Sequence, residues 1–216
     1  MDYSEELFNR ILPNACKYMR ADINNLDGDF MAKCQSVFLM LRESEHFNGY
    51  SRYMSVKDFF RLIGHYSEVG EDLSFYLDGC ENVVIIAATL GLFVDSKSAR
   101  LLVNNTSEAV IFDAFASALL EAKTDEYEDA LELGPHTFRF APGYGDIPVE
   151  INDILIDGLS LQQRIGLNKT SNHLMLPQKS IIGICGIDKT LAPLCGHCPR
   201  LSSCSLRKEN LQCYSC

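Results

Sequence analysis

Asn82 to Thr89 reads NVVIIAAT, a continuous, β-branched, uncharged run. A half-exposed strand would alternate apolar and polar residues. A run without alternation suits a strand buried on both faces, so the fold must supply apolar cover on both sides. The apolar character continues to Val94 in VVIIAATLGLFV, but Thr89 and Gly91 interrupt it, and the segment reads as a strand running into a turn. It falls well short of the roughly 20 residues needed to span a bilayer, and no membrane association is expected.

Helical patterns supply that cover. EELFNRIL and MAKCQSVFLMLRES, in the first fifty residues, carry apolar positions three and four apart, with Pro13 expected to break or kink the first. SVKDFFRLIG predicts a short helix capped by Ser55 and stopped by Gly64. DSKSARLLVNN and the long SEAVIFDAFASALLEAKTDEYEDAL follow the strand, the latter with Ser107 as its expected cap. HTFRF predicts a second strand, VEINDILIDGL a helix and SIIGICGI a closing strand. The expectation is an α+β fold, a mixed sheet with helices packed around it over residues 1–190, followed by a cysteine-rich tail over 191–216.

The 216 residues include 19 Lys and Arg against 29 Asp and Glu, a formal net charge of −10. Without a dense basic cluster, so acidic a chain is a poor binder of phosphate backbones, and nucleic acid is not expected as a partner. MDYSEELFNR lacks the basic start and apolar stretch of a signal peptide, so a cytoplasmic protein is expected.

Five of nine cysteines crowd the last 22 residues. Cys195, Cys198, Cys204, Cys213 and Cys216 are separated by two, five, eight and two residues. Two C-x2-C pairs around a fifth thiol point to soft-metal ligation, with Cys195, Cys198, Cys204 and Cys213 as the expected ligands. Zinc and an iron–sulfur cluster both fit four thiolates, and redox-active or unligated thiols stay open beside them. His197 is read as a bystander, and His46, His65, His136 and His173 as structural or surface residues.

Two features concern a ligand site. On the long helix Asp113, Ser117 and Glu121 stand four residues apart and form a stripe. It is either a solvated polar edge or a carboxylate presented to a ligand's ammonium or hydroxyl. RFAPGYGDIP, Arg139 to Pro148, joins the second strand to the next helix. Proline removes an N–H there, glycine permits positive φ and close approach to the backbone, and Asp146 is expected to cap the helix that follows. By composition this is a strand-to-helix turn, with function left open.

RFAPGYGDIP, followed by RIGLNKT, MLPQKS and a closing strand, resembles the activation domain of vitamin B12-dependent methionine synthase, in its free-standing form. Arginine, two residues, then proline, glycine and tyrosine is that domain's S-adenosylmethionine signature. Upstream, LDGCENVVIIAATLG and AVIFDAFASALLEA are similar to free-standing versions of it. The resemblance covers most of Leu73 to Ile187. It implies that Arg139, Ala141, Gly143 and Tyr144 line an S-adenosylmethionine site, with Glu121 as the helix carboxylate. An N-terminal acidic ligand and a late tyrosine of the large enzyme have no counterpart here, and the segment after Pro177 is shorter.

The implied role is support for reductive methylation, the reactivation of cob(II)alamin in a cobalamin-dependent methionine synthase or related corrinoid methyltransferase. The cobalamin would be carried by a partner, a corrinoid-binding methionine synthase subunit or corrinoid protein, and a low-potential electron donor is required. Such a protein is a reactivation module of a methyltransferase, not complete on its own. The alternative is a metal-bearing electron-transfer or scaffold protein in which the elbow is only a turn.

Overall fold

A computed structural model describes residues 3–68 and 71–190. Cys195, Cys198, Cys204, Cys213 and Cys216 lie outside the described residues. The chain runs α1 (Tyr3–Met19), α2 (Gly28–Ser44), β1 (Asn48–Ser55), α3 (Val56–Ile63), α4 (Asp72–Leu77), β2 (Asn82–Thr89), α5 (Leu92–Asn104) and α6 (Thr106–Asp129). It continues with α7 (Ile151–Gly158), α8 (Leu161–Ile165), β3 (Asn168–Lys169), β4 (Met175–Leu176) and β5 (Ser180–Gly186). This is the α+β architecture expected. No described helix is long and apolar enough to cross a membrane.

The sheet order is β1-β2-β5, with NVVIIAAT at its centre. All of that strand after Asn82 is buried. Both ladders are antiparallel, so the sheet is not the mixed one expected. His46 donates to Leu90 O at one end of the first, and Val56 to Glu81 O at the other. Across the second, Leu90 donates to Lys179 O and Ile187 to Asn82 O. A separate two-stranded ladder pairs Asn168 with Leu176 and Lys169 with Met175. β1 was not anticipated: NGYSRYMS is polar and only partly buried, so it lacks the apolar alternation that marks a strand.

The chain divides into two compact units, and all three main strands contribute residues to both. The first unit, Met1–Tyr50, Ala87–Glu132 and Leu161–Ile181, is chiefly helical. Phe8, Phe38 and Phe115 meet at its centre, with Phe8 and Phe115 stacked at 5.5 Å. α1 is helical through Pro13, contrary to the expected break. Pro13 removes one N–H, whereas Leu7, Phe8, Ile11, Leu12, Ala15 and Cys16 are all buried, on both sides of it in sequence. α6 is capped by Asn105, whose side chain accepts the Glu108 N–H, and not by Ser107, which lies inside the helix and accepts from Lys33 Nζ at 2.7 Å.

The second unit comprises Ser51–Ile86, Leu133–Ser160 and the described residues from Ile182. Ser55 caps α3 by accepting the Asp58 N–H, and Gly64 ends it, both as expected. The closing strand is present as β5. HTFRF is not a regular strand. It is joined to β5 and the residue after it through separate bridges, Phe140 with Ile184 and His136 with Ile187. The first bridge to the second is four steps along one chain but three along the other, so one extra residue is accommodated between them.

Candidate functional site

The elbow belongs to the second unit and is anchored at its start by Phe140. Phe140 N–H donates to Ile184 O (3.1 Å), and Ile184 N–H donates back to Phe140 O (2.7 Å). The chain then reverses. Tyr144 N–H donates to Ala141 O at 2.9 Å, with Pro142 and Gly143 as the central pair and Gly143 at φ +89°. Proline followed by positive-φ glycine is the pattern of a type II turn. A second reversal follows at once, with Ile147 N–H donating to Tyr144 O at 3.0 Å across Gly145 at φ +61°. Gly143 N–H reaches Ile147 O at 2.8 Å and ties the two turns together.

Asp146 caps α4 and not its own following helix, a correction to the sequence reading. Its carboxylate accepts the Glu71 N–H at 2.7 Å and the Asp72 N–H at 3.1 Å. In return Asp146 N–H donates to the Asp72 carboxylate at 3.2 Å. The two aspartates therefore clasp segments 74 residues apart. α7 has Glu150 at its start and no side-chain cap. Local sequence favours a cap on the adjacent helix, whereas the fold supplies Asp146 with the N–H groups at the start of another.

Tyr144 packs into an aromatic cluster. Its ring lies 6.2 Å from Tyr76 and 6.1 Å from Phe138, and Tyr76 stacks on Phe140 at 4.9 Å. Tyr76 is fully buried while Tyr144 is half-buried, so Tyr144 has one flank on the core and another towards solvent. Arg139 is also half-buried. Its aliphatic stem crosses the backbone of Gly183 in β5 so closely that a Cβ there would fall 2.2 Å from Arg139 Cγ and 2.6 Å from Cδ. A side chain at position 183 would therefore displace the arginine stem.

The second unit thus brings together Arg139, Ala141, Gly143 and Tyr144 within one anchored reversal. Glu121 belongs to the first unit and accepts a hydrogen bond from the Tyr18 phenol. Burial, and then that bond and the Glu121 charge, raise the pKa of Tyr18 well above the ordinary tyrosine value. The rest of the stripe is paired as well. Lys179 Nζ lies 2.7 Å from the Asp113 carboxylate and donates to Ser117 Oγ at 2.9 Å, and Ser117 donates to Asp113 O. Asp113 and Ser117 therefore hold an internal lysine.

Chemically, the elbow combines a guanidinium for a carboxylate, a half-exposed phenol ring for stacking, and a glycine turn that admits a ligand close to the backbone. The sequence reading missed Thr137, Gly183 and Asp72, which shape these groups from outside the motif. Thr137 and Gly183 carry no local signal, because their role depends on which strand lies alongside. Among the described residues no group of three or more His, Cys, Asp or Glu side chains could hold a metal ion.

No family model matches the chain, and no curated protein matches it in sequence. Among solved structures it is similar to the crystal structure of the MetH reactivation domain bound to AdoHcy. That likeness has a TM-score of 0.58 and covers 91% of this chain and 77% of the other, at 13% identity. So low an identity speaks for the backbone arrangement and not for the site. Taken with the helices around the β1-β2-β5 sheet, it establishes that the chain has the fold of a methionine synthase reactivation domain.

Proposed function

We propose that this chain binds S-adenosylmethionine at the elbow and supports reductive reactivation of a corrinoid carried by a partner protein. The observation that carries this reading is the double turn at Ala141–Ile147 with Arg139 seated on Gly183, in a fold shared with a domain solved with AdoHcy. The residue types fit the ligand. Arg139 can grip its carboxylate, the Tyr144 ring can flank the adenine, and the Ala141–Gly143 backbone can approach closely. Glu121 enters only through the sequence resemblance, as the carboxylate for the ligand's ammonium.

In this role the chain supplies position more than reactive groups. It holds the sulfonium methyl within reach of the partner's corrinoid. The partner's corrinoid would be reduced by one electron from cob(II) to cob(I) by a low-potential donor, and the cob(I) electron pair would take the methyl group as its bond to sulfur breaks, leaving methylcob(III) and S-adenosylhomocysteine. The tail thiols Cys195, Cys198, Cys204 and Cys213 are proposed to bind zinc or an iron–sulfur cluster on their spacing alone.

Calorimetry with S-adenosylmethionine tests the binding step. Wild type should bind, and Arg139→Ala should weaken binding by about 1.5–3 kcal/mol, tenfold or more. Asp113→Ala should have a smaller effect, since Asp113 is paired with Lys179. Equal affinity in wild type and Arg139→Ala would remove Arg139 from the site. Adding a cognate corrinoid protein and a low-potential reductant tests the second step, and cob(II) spectra unchanged by the chain would refute reactivation.

A further inference from the structure

Thr137 is fully buried beside the pairing defect in HTFRF. Asp188 N–H donates to Pro135 O (2.8 Å) and Thr137 N–H to Gly186 O (2.9 Å), so the ladder is regular up to Thr137. The return bond should run from Gly186 N–H to the Thr137 carbonyl. It runs instead to the Thr137 hydroxyl, at 2.9 Å. That hydroxyl donates in turn to Phe138 O at 3.2 Å. The next closed pair is Phe140 with Ile184, which leaves Phe138 and Arg139 opposite Cys185 alone. Two residues against one is a β-bulge, a device that bends a strand and re-aims a side chain.

We infer that Thr137 is a positioning residue for Arg139, and that the bulge it closes makes the elbow selective for ligands bearing an amino-acid carboxylate. The inference rests on the reading of the elbow as an S-adenosylmethionine site. In unbulged pairing the closed pair after Thr137–Gly186 would join residue 139 to Ile184, and Arg139 would keep the alternation of the ladder. With one residue inserted, Phe140 takes that place and Arg139 leaves the alternation. Its stem then lies across Gly183, the one residue type whose missing side chain leaves room for it. Thr137 supplies both polar partners that the broken ladder lacks, an acceptor for Gly186 N–H and a donor for Phe138 O. Its methyl group packs 3.3 Å from where a Gly186 Cβ would stand.

The test compares two ligands. S-adenosylhomocysteine carries the amino-acid end, and 5′-methylthioadenosine keeps the adenosine and thioether without it. Calorimetry on the full chain should show Thr137→Val weakening S-adenosylhomocysteine about tenfold while leaving methylthioadenosine within twofold. Thr137→Ser, which keeps the hydroxyl, should restore most of the difference. Gly183→Ala should reproduce the loss by blocking the arginine's path, and so guards against a valine variant that folds poorly. In ligand-free protein, Gly186 amide hydrogen exchange should quicken in Thr137→Val and return in Thr137→Ser.

If wild type binds both ligands equally, or neither, the S-adenosylmethionine reading fails, and with it the selectivity. If wild type and Arg139→Ala differ as expected while Thr137→Val and Gly183→Ala bind like wild type, that reading stands and the positioning role is overturned. Equal loss of both ligands in Thr137→Val with slow Gly186 exchange would also overturn it.

Discussion

Gly145 offers a measure of how firmly the elbow is held. A Cβ at this position would lie 1.9 Å from Asp72 Oδ2, and the backbone stands at φ +61°. Alanine there meets two separate costs. The left-handed conformation disfavours a side chain by about 1 kcal/mol. The Asp72 carboxylate must also swing away and surrender the Asp146 N–H. A hydrogen bond to a charged group contributes about 1.5–3 kcal/mol when shielded, and about 1 kcal/mol is reasonable for this partly exposed pair. The sum for Gly145→Ala is about 2 kcal/mol. Gly134 isolates the first cost, because its φ is +69° and a Cβ there would meet nothing within 4 Å. Both residues belong to the second unit, so they report on the same body. Gly134→Ala should therefore cost only about 1 kcal/mol. With no tryptophan in the chain, urea unfolding is best followed by circular dichroism. The Gly145→Ala midpoint should fall below that of Gly134→Ala by roughly 0.3–1 M, given a slope of about 1–3 kcal/mol/M. Coincident midpoints would mean that the aspartate clasp contributes nothing, and the account of the elbow's rigidity would be wrong.

Alkali should weaken the first unit. Burial, followed by the neighbouring Cys16, raises the Cys34 thiol from 9.0 to about 11, and burial raises Cys16 as well. The unfolded chain ionises near 9.0 and the native one later, so the stability from these neutral thiols is complete below pH 9 and falls as pH rises towards 11. Urea midpoints at pH 8, 9 and 10 should decline more steeply in wild type than in Cys34→Ala, and equal slopes would contradict the assignment. Deleting residues from Leu191 onward should abolish bound zinc or iron, measured by elemental analysis of anaerobic protein, and spare S-adenosylmethionine affinity. Intact full-length chain with reduced thiols that takes up neither metal would rule out the tail site.

Where sequence and structure agree, the signal is short-range. NVVIIAAT declares a doubly covered strand because all its side chains after Asn82 are apolar or small, and the Ser55 cap lies three residues from the N–H it accepts. Helix periodicity in α6 survives an error in its cap, because Asn105 and Ser107 both suit that position and only geometry selects one. What could not be read depends on partners distant in sequence. NGYSRYMS becomes a strand only because β2 offers an edge, which overrides its weak pattern. Asp146 turns to α4, accepting the Glu71 and Asp72 N–H groups, while α7 has no side-chain cap. The elbow motif announced its own turn, through Pro142 and Gly143. The direction of Arg139 is set by Thr137 and Gly183, whose meaning appears only once β5 lies alongside.

The bulge beside β5 also bears on how the protein behaves in a concentrated solution. A straight, fully paired border strand presents a row of amide groups on which another molecule can add a strand, and so begin a fibril. Here the stretch His136–Phe140 is joined to Ile184 and Ile187 by separate bridges, with a kink between them that spoils the spacing such a stacked partner would need. On the opposite border, β1 exposes Arg52 and Tyr53, and a charge in that row repels an incoming copy. Loss of the Thr137 hydroxyl takes the acceptor from the Gly186 N–H beside this border, and should therefore shorten the time before light scattering rises on gentle heating.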